Sequence, residues 1–230
     1  FPTRRSSDLE ALQLFQDQYH LDTIPSFKLN ISSQIPVASG LGSSASVAVA
    51  LVRAFSQYLG VKLSHEKINS YAFELEKVTH GNPSGIDNTV ITYEKMLYYI
   101  RGTLPLFLET AHPLHIVFMD SGKPSLTSEA VAFVKEARQG SPKRIDSIFS
   151  QIGLLTDQAK DIFSKGSQQD LGKLMNENHI LLQQLGVSTP ELDRLAAFAL
   201  RNHALGAKLC GAGRGGNVIA LINEDSIPSF

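Results

Sequence analysis

The sequence has no tryptophan, one cysteine and almost no net charge, and each shortage removes a class of protein. Cys210 alone cannot close an internal disulfide, and no Cys/His set has zinc-finger spacing. That favours a reducing, cytoplasmic setting. A formal charge of −1 over 230 residues exerts no long-range pull on nucleic acid or on an anionic membrane, so any anion site has to be local. No apolar run reaches the roughly 18 residues of a membrane span, and no signal peptide is visible. There is no initiator methionine, and FPTRRSSDL (residues 1–9) is polar and aperiodic, unlike the text after it. We therefore expect an atypical leader and a piece of a longer protein.

What is present is ordinary globular composition, 43% hydrophobic and 19% charged, enough for one broad domain or two small ones. There is no internal repeat and no low-complexity segment. Residues 10–20 predict a short helix. FKLNISSQI (27–35) alternates apolar and polar residues, which predicts a half-buried strand. Residues 43–59 predict a helix that is apolar nearly all round and hence buried. Ser64 is a good N-cap for a helix running to about Thr79. VITYEKMLYYI (90–100) predicts two strands with a turn near Glu94-Lys95, and LHIVFMD (114–120) a strong strand. From Ser128 to His203 the pattern is helical, broken at QGSP (139–142), KGS (165–167) and GVSTP (186–190). AKLCGAGRGGNVIALI (207–222) predicts strand, glycine loop, strand. Strands first and helix-rich text later make the fold class α+β, with a domain boundary near residue 112.

Three stretches carry chemistry. In IPVASGLGSSAS (35–46), Gly40 and Gly42 precede a helix whose first N–H groups are unpaired and carry partial positive charge. Such a loop can cradle phosphate, with the hydroxyls of Ser43 and Ser44 available to phosphate oxygen or Mg²⁺. A plain Gly-Ser turn with a serine cap carries about half the weight. No P-loop competes, because nothing fits GxxxxGK[ST] and Gly122-Lys123 runs into Pro124. In FELEKVTHGNPSGIDNTV (73–90), Glu76 near a helix end and Asp87 after a turn-rich loop are the paired acids that phosphoryl transfer uses, one sharing a metal and one handling a proton. Taken alone, the pair is better accounted for, at about two to one, by a solvated helix end and a capping Asp. GAGRGG (211–216) fits the dinucleotide pattern GxGxxG, but a strand rather than a helix follows it, so the Rossmann reading fails.

IPVASGLGSSAS resembles the ATP-binding signature of the GHMP kinases, and HGNPSGIDN (80–88) resembles the mevalonate kinase version of the next motif. The resemblance implies an N-terminal domain like ribosomal protein S5 domain 2 over 10–112 and a ferredoxin-like C-terminal domain over 113–230. It implies ATP and Mg²⁺ as cofactors and a small-molecule substrate, the C5 hydroxyl of (R)-mevalonate taking the γ-phosphoryl group, without nucleic acid or membrane; it allows a homodimer. Carried over, Pro36, Ala38, Ser39, Gly40, Leu41, Gly42, Ser43, Ser44 and Ala45 bind ATP phosphates, Ala38 standing where many members have glycine. Ser44 and Glu76 hold Mg²⁺, and Asp87 is the catalytic base. His80 and Asn82 shape the loop. Thr127, in DSGKPSLTSEAV (120–131), and Gly211, Ala212 and Gly213 lie near substrate or phosphate. A helix N-cap role for Thr127 or Ser128 is an equal alternative. Arg214, which interrupts the glycine run, either meets phosphate or faces solvent. Nothing in residues 1–30 matches the family's first motif, an early lysine and a Gly-Glu-His stretch, so this polypeptide alone is expected to be weakly active or inactive. The rivals are another GHMP kinase such as a phosphomevalonate kinase, a nucleotide-binding protein without catalysis, and a broken fragment with exposed strand edges.

Overall fold

The computed structural model describes residues 5–19, 23, 26–35, 40–110, 112–165 and 167–224. It contains two compact units, one of Phe1–Val37 with Gly42–Phe107, the other of Ala38–Leu41 with Leu108–Phe230.

The first unit is built on helices α1 (Arg5–Tyr19), α2 (Ser43–Tyr58), α3 (His65–His80) and α4 (Ile86–Tyr93). Helix α1 starts at Arg5, so part of the expected leader is helical. On α2, Ala45, Ala48, Val49, Leu51, Val52 and Phe55 recur at helical spacing and are buried, while Ala50 and Ala54 are exposed. The helix is thus one-sided, not apolar all round. Its core partners are Phe15 of α1, which sits edge-on to Phe55 and Tyr71, and Ile68, Ala72 and Leu75 of α3. Ser64 caps α3 by accepting the Lys67 N–H at 3.4 Å, as its position predicts.

Two strand expectations fail here. Residues 27–35 form no strand: a strand exists through its ladder, and no described residue pairs with this segment. Phe27 instead lies edge-on to Phe55 and Tyr58. Residues 90–93 belong to α4. Gly85 enters that helix in the left-handed region, the Thr89 hydroxyl donates to the Gly85 carbonyl at 2.6 Å, and Glu94 ends the helix at φ 54°. These tertiary and capping contacts override the β preference of the Val-Ile-Thr-Tyr run. Among the described residues of this unit, β1 (Leu97–Tyr98) pairs with β2 (Leu106–Phe107) in a short antiparallel ladder.

The second unit carries β3 (His115–Asp120), α5 (Thr127–Gly140), α6 (Pro142–Lys165), α7 (Gln168–Leu185), α8 (Pro190–Arg201), β4 (Gly206–Cys210) and β5 (Asn217–Ile222). The strands and helix breaks fall where the sequence places them. The antiparallel sheet has the order β3-β5-β4, with Val117 opposite Ala220 and Ala207 opposite Ala220 on its other side. Ala207, Leu209, Val218, Ala220, Val117 and Met119 alternate onto one face and pack on Ile145, Ile148, Leu181, Leu185, Leu192 and Ala196 of the helices.

Helix α7 covers the outer edge of β4, which would otherwise expose unpaired N–H groups. Asn176 Oδ1 accepts the Ala207 N–H at 2.9 Å, and His179 Nδ1 accepts the Leu209 N–H at 3.3 Å. The approach is closest at Gly172, where an added Cβ would lie 2.4 Å from the Leu205 carbonyl oxygen. Gly172→Ala should therefore cost about 1–3 kcal/mol through overpacking, read as a lower urea midpoint.

Accepting from Leu209 requires His179 to be neutral. Burial pushes its pKa down, outweighing the Asp193 carboxylate on α8, which pulls it up; Lys208 on β4 adds to the depression. The unfolded chain then binds the proton more readily, so this contribution is complete above the free imidazole value of about 6.5 and is lost as pH falls below it. A urea-midpoint profile from pH 8 to 5 should decline less steeply on the acid side for His179→Gln than for the parent.

Candidate active site

Ser44, Glu76 and Asp87 come from three helices of the first unit. Ser44 is the second residue of α2, and Glu76 lies one turn before the end of α3. Small buried residues, Ala48 on α2 and Ala72 on α3, share the core between these helices and permit close approach. The Ser44 hydroxyl donates to Glu76 Oε1 at 2.5 Å, and His80 Nε2 lies 3.7 Å from Oε2. Glu76 is 5% exposed, and its pKa is raised first by burial and further by the Asp87 charge, against the lowering effect of Ser44 and His80. Asp87 retains contact with solvent, yet the protein around it desolvates the carboxylate and raises its pKa, with His80 opposing. The two acids thus stand close enough to feel each other's charge.

Asp87 is held by neighbours that the sequence reading did not single out. Asn88 and Thr89 are each 2% exposed. Asn88 Nδ2 donates to Asn69 Oδ1 at 2.6 Å, and Asn69 Nδ2 donates to Thr89 Oγ1 at 3.1 Å, tying the first turn of α4 to α3. The 80–85 loop is fixed by the Tyr99 hydroxyl donating to Ser84 O at 2.9 Å and by Arg101 donating to Asn82 Oδ1 at 2.6 Å. No pattern in the sequence marks these partners; only the polar Asn-Thr pair inside an apolar stretch hints at a buried network.

The first glycine loop is partly described: Pro36, Ala38 and Ser39 lie outside the described residues. Gly42, at φ 69°, is the N-cap of α2 and supplies no side-chain acceptor, which leaves the first N–H groups at Ser43, Ser44 and Ala45 without a side-chain cap. Gly40, at φ 78°, groups with Leu41 in the second unit, and there it backs onto Gly211: a Cβ on Gly211 would stand 3.3 Å from the Gly40 Cα. The two glycine loops, read separately in the sequence, meet through their backbones.

Also in the second unit are Thr127, Ala212 and Gly213. Thr127 is the exposed first residue of α5; the N-cap is Leu126, so neither Thr127 nor Ser128 caps this helix. Arg214 is exposed, as the solvent alternative has it, and its guanidinium also stacks 4.4 Å from the Phe133 ring centre.

Comparison with known proteins matches residues 8–95 to the GHMP kinases N terminal domain and residues 159–229 to the GHMP kinases C terminal domain. The mevalonate kinase of Methanocaldococcus jannaschii is 37% identical over 222 residues, covering 94% of this chain and 68% of that protein. The chain belongs to the mevalonate kinase family of the GHMP kinases. The mevalonate kinase of Pyrococcus horikoshii is 44% identical over 200 residues, 84% of this chain and 58% of the relative. Against the crystal structure of L. major mevalonate kinase in complex with R-mevalonate, the TM-score is 0.81 at 32% identity, covering 98% of this chain and 71% of that one. A Streptococcus pneumoniae phosphomevalonate kinase shares the fold, with a TM-score of 0.77 at 17% identity, 100% of this chain and 77% of that one being covered. The chain spans less than two thirds of the length of the Pyrococcus relative.

Kinases of this family call for a divalent cation, and the donors present suit Mg²⁺. A buried carboxylate bonded to a hydroxyl offers hard oxygen ligands. Mg²⁺ typically takes only one or two carboxylates, completing its shell with water and substrate phosphates. Among the described residues no group of three His, Cys, Asp or Glu side chains gathers.

Proposed function

We propose that this mevalonate kinase family member transfers the γ-phosphoryl group of ATP to the C5 hydroxyl of (R)-mevalonate. The observation that carries the reading is the 2.5 Å contact of Ser44 with Glu76, beside an Asp87 whose carboxyl burial makes more basic. In this reading residues 10–112 are the ATP-binding domain and 113–230 the C-terminal domain. The uncapped start of α2, Gly42 to Ala45, binds phosphate oxygens through backbone N–H groups. Ser44 and Glu76 hold Mg²⁺, which when bound offsets charge on the β- and γ-phosphates. Asp87 takes or orients the proton of the attacking hydroxyl. His80 steadies the Glu76 carboxylate rather than moving a proton itself. Gly211, Ala212 and Gly213 approach the phosphates next to Gly40, and Thr127 lies near substrate. We also place the enzyme in the cytoplasm; no helix among the described residues is long and apolar enough to cross a membrane.

A substrate panel tests the assignment. With ADP release as the readout, mevalonate should be turned over, at most slowly by this polypeptide alone, and 5-phosphomevalonate should not. Preference for the phosphorylated substrate would move the chain to the phosphomevalonate kinase reading. Binding of Mg-ATP without transfer to any alcohol would leave a nucleotide-binding protein.

A further inference from the structure

The turn joining β4 to β5 is gripped from two sides. On one side Val187 O accepts the Arg214 N–H at 2.6 Å, and Gly213, at φ 82°, sits so close that a Cβ would lie 2.3 Å from that oxygen. On the other side Ser125 Oγ donates to Gly213 O at 2.7 Å, and Lys123 O accepts the Gly216 N–H at 2.8 Å. The turn has no room to adopt another shape while both grips hold.

Both grips are tied to the first turns of α8. Lys123 Nζ pairs with Glu191 Oε1 at 2.7 Å, and Lys123 holds the Glu191 carboxyl down at about 2. Ser188, next to Val187, donates through Oγ to Asp193 Oδ1 at 2.5 Å. The same oxygen lies 3.2 Å from His179 Nε2, and His179 steadies β4 through Leu209. Acids in a first helical turn usually serve their own helix. Here Thr189 caps α8 by accepting the Leu192 N–H; Glu191, besides its local partners Thr189 and Arg194, reaches Lys123 far along the chain, and Asp193 reaches back five residues to Ser188.

We infer that Glu191 and Asp193 are positioning residues, which set the shape of the 211–216 glycine turn by anchoring the segments that grip it. Neither touches the turn directly; they act through Lys123 and through Ser188 and Val187. Because Gly211 backs onto Gly40, the turn in its fixed shape supports the backbone at Gly40. The consequence for ATP rests on the kinase reading; the structural claim does not.

Amide hydrogen exchange on the whole chain decides it. In Asp193→Ala exchange at Arg214, and in Glu191→Ala exchange at Gly216, should quicken about tenfold, the factor expected for losing roughly one net hydrogen bond of local stability. Amides of α6 should keep their rates, and Asp193→Asn, which keeps an acceptor for Ser188, should restore protection. Ser188→Ala removes only a hydroxyl and serves if the larger truncation does not fold. In kinetics, KM for ATP should rise about tenfold while kcat stays within about twofold. Unchanged exchange at the turn, or equal acceleration at α6, overturns the inference. If the parent phosphorylates no alcohol, the functional reading fails while the exchange comparison still judges the positioning role.

Discussion

Asp87→Asn should lower kcat for mevalonate by about 10²–10⁴-fold, the range general base catalysis contributes, while leaving Mg-ATP binding in place. The substitution keeps the shape of the side chain and removes only its charge. Asp87 is exposed, yet the protein around it desolvates the carboxylate and disfavours its charge, so removing that charge should not cost stability. The ties that locate α4 run through Asn69, Asn88 and Thr89, none of which bonds to Asp87 in the contacts that hold the turn. Losing the negative charge also relieves the repulsion that raises Glu76, so the carboxylate proposed as metal ligand ionises more readily in the variant. Calorimetry with Mg-ATP and single-turnover kinetics separate the two effects. Turnover equal to the parent would remove Asp87 from the role of base; loss of ATP binding together with turnover would mean that it positions nucleotide instead.

How far the sequence reaches depends on the range of the contact involved. The short apolar runs LHIVFMD and NVIALI are local signals, and both became strands of one sheet. The breaks at residues 139–142, 165–167 and 186–190 depend on Gly, Pro and capping residues, and four helices begin and end there. FKLNISSQI shows the limit: alternation states which face would be buried but not whether a partner strand is there to receive it. In residues 90–93 the β-branched run pointed to a strand, yet the outcome was set by Gly85 and Thr89 and by Asn69, distant in the chain. The Ser44–Glu76 contact was legible only through the family pattern, since composition and spacing left a solvated helix end as the better account. The meeting of Gly40 with Gly211, and of Arg214 with Phe133, left no local signal at all, because each joins residues far apart in sequence.

Glu76→Gln should make the protein more stable at neutral pH and at least about 10²-fold slower, the scale on which loss of a preorganised electrostatic contact is felt. Burial raises the folded pKa of Glu76 above its unfolded value. The folded state therefore holds the proton better, and the stability this group contributes is present in full below the unfolded value of about 4.3 and is lost as pH rises through the folded pKa. At neutral pH the ionised side chain stays 5% exposed with one hydroxyl and a histidine as partners, a cost that the neutral amide avoids. Gln still offers an oxygen to the Ser44 hydroxyl, so the α2–α3 contact survives. Thermal unfolding at pH 7 should show a higher Tm for the variant, and the difference should shrink as pH falls through the parent's raised folded pKa, where its carboxyl takes up the proton. Mg²⁺ dependence should shift in the opposite sense, with the variant needing more metal to reach its lower rate, because an amide oxygen is a weaker ligand for a hard cation than a carboxylate. A variant less stable than the parent at neutral pH would show that the Ser44–Glu76 contact is structural. A variant of equal rate and equal Mg²⁺ dependence would place the metal elsewhere. Only the paired result, stability gained with activity lost, fits a carboxylate kept buried at a cost to the fold because the chemistry requires its charge.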